Sequence, residues 1–169
     1  GVQLKADAAP FDGFATARAL AAELQGGGWD LVLFGKLAVD TSAGVTGPMV
    51  AELLGLPCVT SVSKLDVANG RGRAERALEG GVEVVEFPLP AVVTVDQGLV
   101  VQARYPALKG IMAAKKKPLD VKPAQLGEQT VAVTKMELPA ERAAGRIVGE
   151  GAAAVPELVR LLREEAKVL

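Results

Sequence analysis

Lys36, Asp40, Thr46 and Gly47 crowd into one short stretch of small residues, and together they suit the holding of a phosphate. Thr46 is an N-cap candidate, and Pro48 falls in what would be the first helical turn. The first backbone N–H groups of a helix have no partner within it, so they attract anions, helped by the helix dipole. Lys36 adds a mobile positive charge at the end of the apolar run 31–34. The same residues also suit an ordinary strand-to-helix connection, and alone they leave both readings open.

A second stretch, 104–117, carries different chemistry. Alone it would read as an exposed loop and one helical turn, yet Leu108, Ile111 and Met112 are too many apolar groups for a small solvated loop. Exposed, they form a docking patch of the kind that marks an interface. Lys115, Lys116 and Lys117 follow directly, and they either steer an acidic partner or are simply solvated. Asp96, at the end of another apolar run, stands where α/β proteins place ligand sites.

Composition removes several classes of function. Histidine is absent, so the chain supplies no imidazole base, no histidine metal site and no Ser-His-Asp triad. With a single cysteine, Cys58, it has neither an internal disulfide nor a zinc constellation. Cys58 suits a reducing compartment and, in an apolar run, is expected to be buried. Nineteen basic against twenty acidic residues leave a net charge of −1, which gives no general attraction to nucleic acid. Half of the 169 residues are hydrophobic but only 4% aromatic, so the core of what is one domain's worth of chain must be aliphatic. No apolar run approaches the ~20 residues that span a bilayer, and no signal peptide is seen. A binding or carrier role is favoured over hydrolytic chemistry.

The elements that must position these residues are legible in part. Residues 2–4 suggest a strand, 10–13 a turn, and Phe14, Ala17, Ala21 and Leu24 recur at helical spacing over 12–25, stopped by three glycines. Residues 31–34 form an uninterrupted apolar run, expected of a strand covered on both faces. A helix over 48–54 is closed by Gly55 and Pro57, and 58–62 reads as the next strand. This alternation implies a parallel sheet with right-handed crossovers. After Ser63 the pattern changes to short segments, 64–67, 73–78 and 82–87, separated by the hairpin signals Asn69-Gly70 and Gly80-Gly81. The apolar run 91–95 then returns to the main sheet, and a loop at Tyr105-Pro106 leads to a short helix over 108–114.

From 118 to 149 there is no clean period, and prolines punctuate the stretch. Residues 131–136 are one possible strand. A long structureless segment is uncommon inside a compact domain, so it reads as an arm laid across another subunit. Val155, Leu158, Val159, Leu162, Ala166 and Leu169 end the chain as an apolar stripe in need of a partner surface.

Taken together, three ordered motifs resemble the beta subunit of electron transfer flavoprotein. The first is Gly35-Lys36, Ala38, Asp40 and Thr46-Gly47-Pro48-Met49; the second is Gly80-Gly81 with residues 89–94. The third is Arg104-Tyr105-Pro106, Leu108, Ile111-Met112 and residues 115–118. The resemblance is strongest from 29 to 121. It implies an α/β fold with a Rossmann-like (adenine nucleotide alpha hydrolase-like) parallel sheet, a small antiparallel hairpin region and an extended C-terminal arm. Residues 1–118 would form the nucleotide-binding domain, with roughly the first third of a typical beta subunit absent. Residues 119–169 would be an arm and helix packing on an alpha subunit.

The resemblance also implies a role: a heterodimer with an alpha subunit that holds most of a redox-active FAD, relaying electrons from acyl-CoA and other dehydrogenases to the respiratory chain. On this view the chain is an electron carrier with no catalytic residues of its own. AMP would be held by Lys36, Leu37, Ala38, Val39, Asp40, Val45, Thr46 and Gly47. Partners would dock on Tyr105, Pro106, Leu108, Ile111, Met112 and Lys116, with Leu108 as anchor. The chain departs from the family pattern in three places. Residues 41–45 carry fewer amide and carboxylate side chains, Ala77 replaces a glutamate near the flavin, and Ala113 replaces a methylatable lysine. Glu79 reads as a turn residue. Electron-bifurcating relatives place a second FAD at the AMP position, but commonly with valine where this chain has Thr46. Outside the family, a nucleotide-hydrolysing or nucleotide-sensing α/β domain is the rival, and an interaction module without nucleotide is the third reading. The Ala/Leu/Val/Arg-rich, histidine-free composition favours the cytoplasm of a bacterium over the mitochondrial matrix.

Overall fold

A computed structural model describes residues 1–7, 12–100, 102–141 and 144–169. Pro10 and Phe11, which begin the turn expected before the first helix, lie outside the described residues. The chain divides into two units, Gly1–Thr134 and Lys135–Leu169.

In the first unit, strand β1 (Val2–Lys5) precedes helix α1 (Gly13–Leu24), strand β2 (Leu31–Gly35) and helix α2 (Thr46–Leu54). Three long strands follow, β3 (Cys58–Ala68), β4 (Arg71–Leu78) and β5 (Gly81–Pro88), and then β6 (Ala91–Val95). Helix α3 (Leu108–Ala114) and strand β7 (Asp120–Pro123) complete the unit. The main sheet is mixed, in the order β2-β6-β3-β4-β5. β2, β6 and β3 run parallel, and β3, β4 and β5 antiparallel.

β6, between β2 and β3, is the most deeply buried strand, as its apolar run requires. Ala91 and Val93 face one core cluster, with Val59, Val62, Ala74 and Phe87. Val92 and Val93 are both fully buried, each stabilising the fold by roughly 1.5–3 kcal/mol. A second cluster joins Ala17 and Ala21 of α1 to Val50 of α2, with Phe34 of β2 packed against it. Small alanines on the buried side of α1 let the two helices approach closely.

Local chemistry accounts for the element ends. Asp12 caps α1 by accepting from the Phe14 N–H at 2.8 Å. Its other oxygen accepts from the N–H and hydroxyl of Thr130, at 2.8 and 2.7 Å, which ties residue 130 to the start of α1. Gly55, at φ 65°, closes α2 in the left-handed conformation. Asn69 and Gly70 both take positive φ, as a two-residue hairpin turn matching strand twist requires.

Several expectations are corrected. β1 does not join the parallel sheet; it pairs in parallel with β7 as a separate two-stranded sheet, because its partner comes from far along the chain. The segments read as 58–62 and 64–67 are one strand, β3, interrupted by irregular register around Ser61, which sits at φ 58°. Residues 131–136 form no strand, and Val131 and Val133 are half exposed. β2 is an edge strand with α1 and α2 on one side only, so Leu33 is 52% exposed rather than covered. Cys58, the first residue of β3, is exposed rather than buried.

Among its described residues, the second unit contains a 3-10 turn (Ala152–Ala154) running into helix α4 (Val155–Glu164). Pro156 stands in the first turn, where its missing N–H costs nothing. Arg160 bridges Glu157 and Glu164 on the polar side, both at 2.7 Å. Val155, Leu158 and Val159 of the apolar stripe are all partly or largely exposed. Among the described residues, no helix is long and apolar enough to cross a membrane.

Candidate functional site

The C-terminal ends of β2 and β6 bring the first candidate residues together. Lys36 donates its backbone N–H to the Val95 carbonyl at 2.9 Å, extending the β2–β6 ladder by one step. The chain then turns back: Ser42 N–H donates to the Ala38 carbonyl at 2.9 Å, and Asp40 accepts from the Thr41 N–H at 2.8 Å. Positive φ at Ser42 and Gly44 completes the reversal into α2.

α2 begins one residue earlier than its threonine suggested. Val45 occupies the N-cap position and makes no side-chain cap, so Thr46 lies in the first turn. The expected hydroxyl cap is therefore absent, because Val45, not Thr46, takes the flanking position. The early N–H groups of α2 are left to face whatever lies in front of the helix. Gly47 explains how the helix start reaches this place. A Cβ there would lie 2.6 Å from Cγ2 of Thr94 and 3.3 Å from Cβ of Phe34, so only glycine lets α2 sit this low on the sheet. Thr94 is itself buried and accepts from the Ser61 N–H at 3.0 Å, which binds the β3 irregularity to the same point.

Between loop and helix lies a cavity of about 250 Å³. Lys36, Leu37, Ala38, Val45, Thr46 and Gly47 line it. Val39 and Asp40 do not: Val39 is 96% exposed, and the Asp40 carboxylate is turned to its own loop. Gly35, Thr41, Ala43 and Gly44 line the cavity as well. They are small residues that sequence reasoning passed over, and the density of small side chains was the available signal.

Lys36 is not a free charge. Its Nζ lies 2.7 Å from Oδ2 of Asp96, sixty residues later in the chain. The hydrogen bond from Lys36, with a second from the Gln97 N–H, holds the Asp96 carboxyl below the usual carboxylate range. Asp96 is fixed from behind as well, its N–H donating to the Val62 carbonyl at 2.9 Å. A second, open cavity of about 370 Å³ is lined by Lys36, Asp96 and Gln97 and shares Gly35 to Leu37 with the first.

The other candidate residues stand apart from this site, on and before α3. Tyr105 is 88% exposed and Leu108 76%, and Ile111 and Met112 are about half exposed. Pro106 and Lys116 are exposed too, and no residue of α3 is buried. Glu79 lies in the β4–β5 turn beside Gly80, which takes φ 82°. Partial desolvation raises the thiol pKa of Cys58, which disfavours a reactive thiolate.

Residues 3–126 match the electron transfer flavoprotein domain family. The chain is 43% identical over 150 residues to the electron transfer flavoprotein subunit beta of Bacillus subtilis, covering 83% of this chain and 58% of that one. Against the subunit beta of Syntrophomonas wolfei it is 36% identical over 169 residues, covering 99% and 66%. Against the human subunit beta it is 41% identical over 120 residues, covering 69% and 47%. The chain thus spans about half to two-thirds of the length of these relatives. With a family match across most of its length and relatives of 36–43% identity, the chain belongs to the electron transfer flavoprotein family, alongside that family's beta subunits.

Proposed function

We propose that the chain is the nucleotide-holding, partner-docking beta subunit of an electron-carrying flavoprotein heterodimer. The observation that carries this is the cavity in front of α2, lined by Lys36, Leu37, Ala38, Val45, Thr46 and Gly47. Its donor set fits a nucleotide phosphate: uncapped helix N–H groups, a threonine hydroxyl and one lysine. At about 250 Å³ it is smaller than the ~300–1,000 Å³ of most small-molecule pockets, so it takes the phosphate end of AMP and not the whole nucleotide. Leu37, Ala38 and Val45 close it with apolar walls, which strengthens each polar contact inside.

In this reading AMP is structural, and the sheet around it is of the Rossmann-like kind used by adenine nucleotide alpha hydrolases. FAD, held mostly by an alpha subunit, supplies the one-electron and two-electron chemistry. The present chain contributes no reacting group; it positions and docks. Acyl-CoA and other dehydrogenases engage the apolar patch at Leu108, Ile111 and Met112, with Lys115 to Lys117 beside it for acidic partners. The C-terminal segment from 119, with the α4 stripe, packs on the alpha subunit. Electrons pass on toward the respiratory chain, in the cytoplasm of a bacterium.

The test is the ligand itself. Heat-releasing the small molecules from the purified protein and identifying them by mass spectrometry should yield AMP. Recovery of a second FAD would assign the pocket to electron bifurcation, and measurable ATP turnover would favour a nucleotide hydrolase. Finding no nucleotide would leave an interaction module only.

A further inference from the structure

We propose that Asp96 is a specificity residue of this site, which sets it to accept a nucleotide monophosphate and to turn away di- and triphosphates. The inference rests on the reading of the cavity as a nucleotide site. Among the described residues, Lys36 is the one charged side chain lining that cavity, and its Nζ is held by Asp96 at 2.7 Å. The lysine charge is thus largely balanced before any ligand arrives. A single phosphate still finds the α2 N–H groups, the Thr46 hydroxyl and a polarised ammonium.

A longer phosphate chain meets different surroundings. The neighbouring cavity, about 370 Å³, shares Gly35 to Leu37 with the first, and in this proposal further phosphates extend into it. There the Asp96 carboxylate forms part of the wall. Like charges a few ångströms apart repel by amounts that change affinity at least tenfold at an effective dielectric near 20. No other lysine or arginine lines either cavity to offset this among the described residues. The pair is also poorly explained as a stabilising contact. Its side chains are 43% and 39% exposed, and ion pairs that open to water contribute little to folding. Yet Asp96 is anchored through its N–H to Val62 and through Oδ1 to the Gln97 N–H, an arrangement that fixes the carboxylate in place.

Equilibrium dialysis of nucleotide-stripped protein, as purified with any partner subunit, against AMP, ADP and ATP tests the assignment. The expected result is AMP bound at least tenfold more tightly than ATP. In Asp96→Asn the AMP-to-ATP ratio should fall about tenfold, mainly through tighter ATP binding, with the melting temperature almost unchanged. Asp96→Glu, which keeps the charge, should keep the preference, and it guards against a folding defect in the asparagine variant. A ratio that stays the same in Asp96→Asn, with AMP still bound, would overturn the assignment and leave the nucleotide reading standing. Failure of the unaltered protein to bind any of the three would overturn the nucleotide reading, and this inference with it.

Discussion

The cavity in front of α2 and the segment around α3 are built in opposite ways. The first is small and supported from beneath by the buried Thr94, the partly buried Phe34 and the fully buried Val50 of α2. The second has no buried residue at all, and it presents Tyr105, Leu108 and Met112 to solvent. A site that must hold a small anion needs its donors fixed, so it draws on the core. A surface proposed to meet other proteins needs accessible apolar area, and α3 leaves that area outside the core. The two halves of the proposed function thus have separate energetics, and substitutions should separate them.

The largest effect should come from Gly47→Val. Its Cβ would enter space held by Thr94, and that side chain is β-branched, buried and hydrogen-bonded, so it cannot yield. Urea denaturation should show a loss of about 1–3 kcal/mol, and released nucleotide should fall to background. A stable variant that still carries nucleotide would break the claim that the core positions this site.

Leu108→Ala should do the reverse. Electron transfer from a dehydrogenase, followed by stopped flow, should slow roughly tenfold or more. Stability should stay within ~0.5 kcal/mol and FAD content should be intact, since Leu108 is 76% exposed. Unchanged transfer kinetics would remove Leu108 as the anchor.

A smaller effect is expected at Asp12, which holds the start of α1, the helix that packs on α2. Hydrogen bonds from Thr130, then from the Phe14 and Ala15 N–H groups, lower its pKa from 3.8 to about 2. Because the folded value lies below the ordinary one, the stabilisation is fully present above 3.8 and is lost as pH falls through about 2. Asp12→Ala should therefore melt at a lower temperature near neutral pH. Its deficit against the unaltered protein should shrink as pH drops from 3.8 toward 2. A deficit independent of pH would mean that the carboxylate charge plays no part.

The smallest effect belongs to Val39→Ser. Val39 is 96% exposed and does not line the cavity, although the resemblance counts it among the AMP-holding residues. Nucleotide content and melting temperature should both be unchanged, and a loss of nucleotide would enlarge the site beyond the cavity described above.

Much of this was legible in the residue order where one short segment decides its own conformation. Asn69-Gly70 prescribes a tight turn, Asp12 a helix start, and the apolar run over Ala91–Val95 a buried strand; each forms as read. The α3 segment was equally readable, since exposed leucine, isoleucine and methionine beside three lysines need no distant partner to be recognised. The proposed nucleotide loop was readable as a motif but not as a shape. Nothing local distinguishes the lining Leu37 and Ala38 from the outward Val39 and Asp40, because the direction of each side chain follows from how the loop reverses.

By itself, then, the order of residues determined most of the helices and strands of residues 12–95 and the exposed α3 segment, since these depend on neighbours within a few positions. Only the tertiary structure decided that β1 leaves the main sheet for β7, that Gly47 rests on Thr94, and that Lys36 is held by Asp96. In each case the partner comes from far along the chain. Sheet register and core packing, rather than local propensity, choose it.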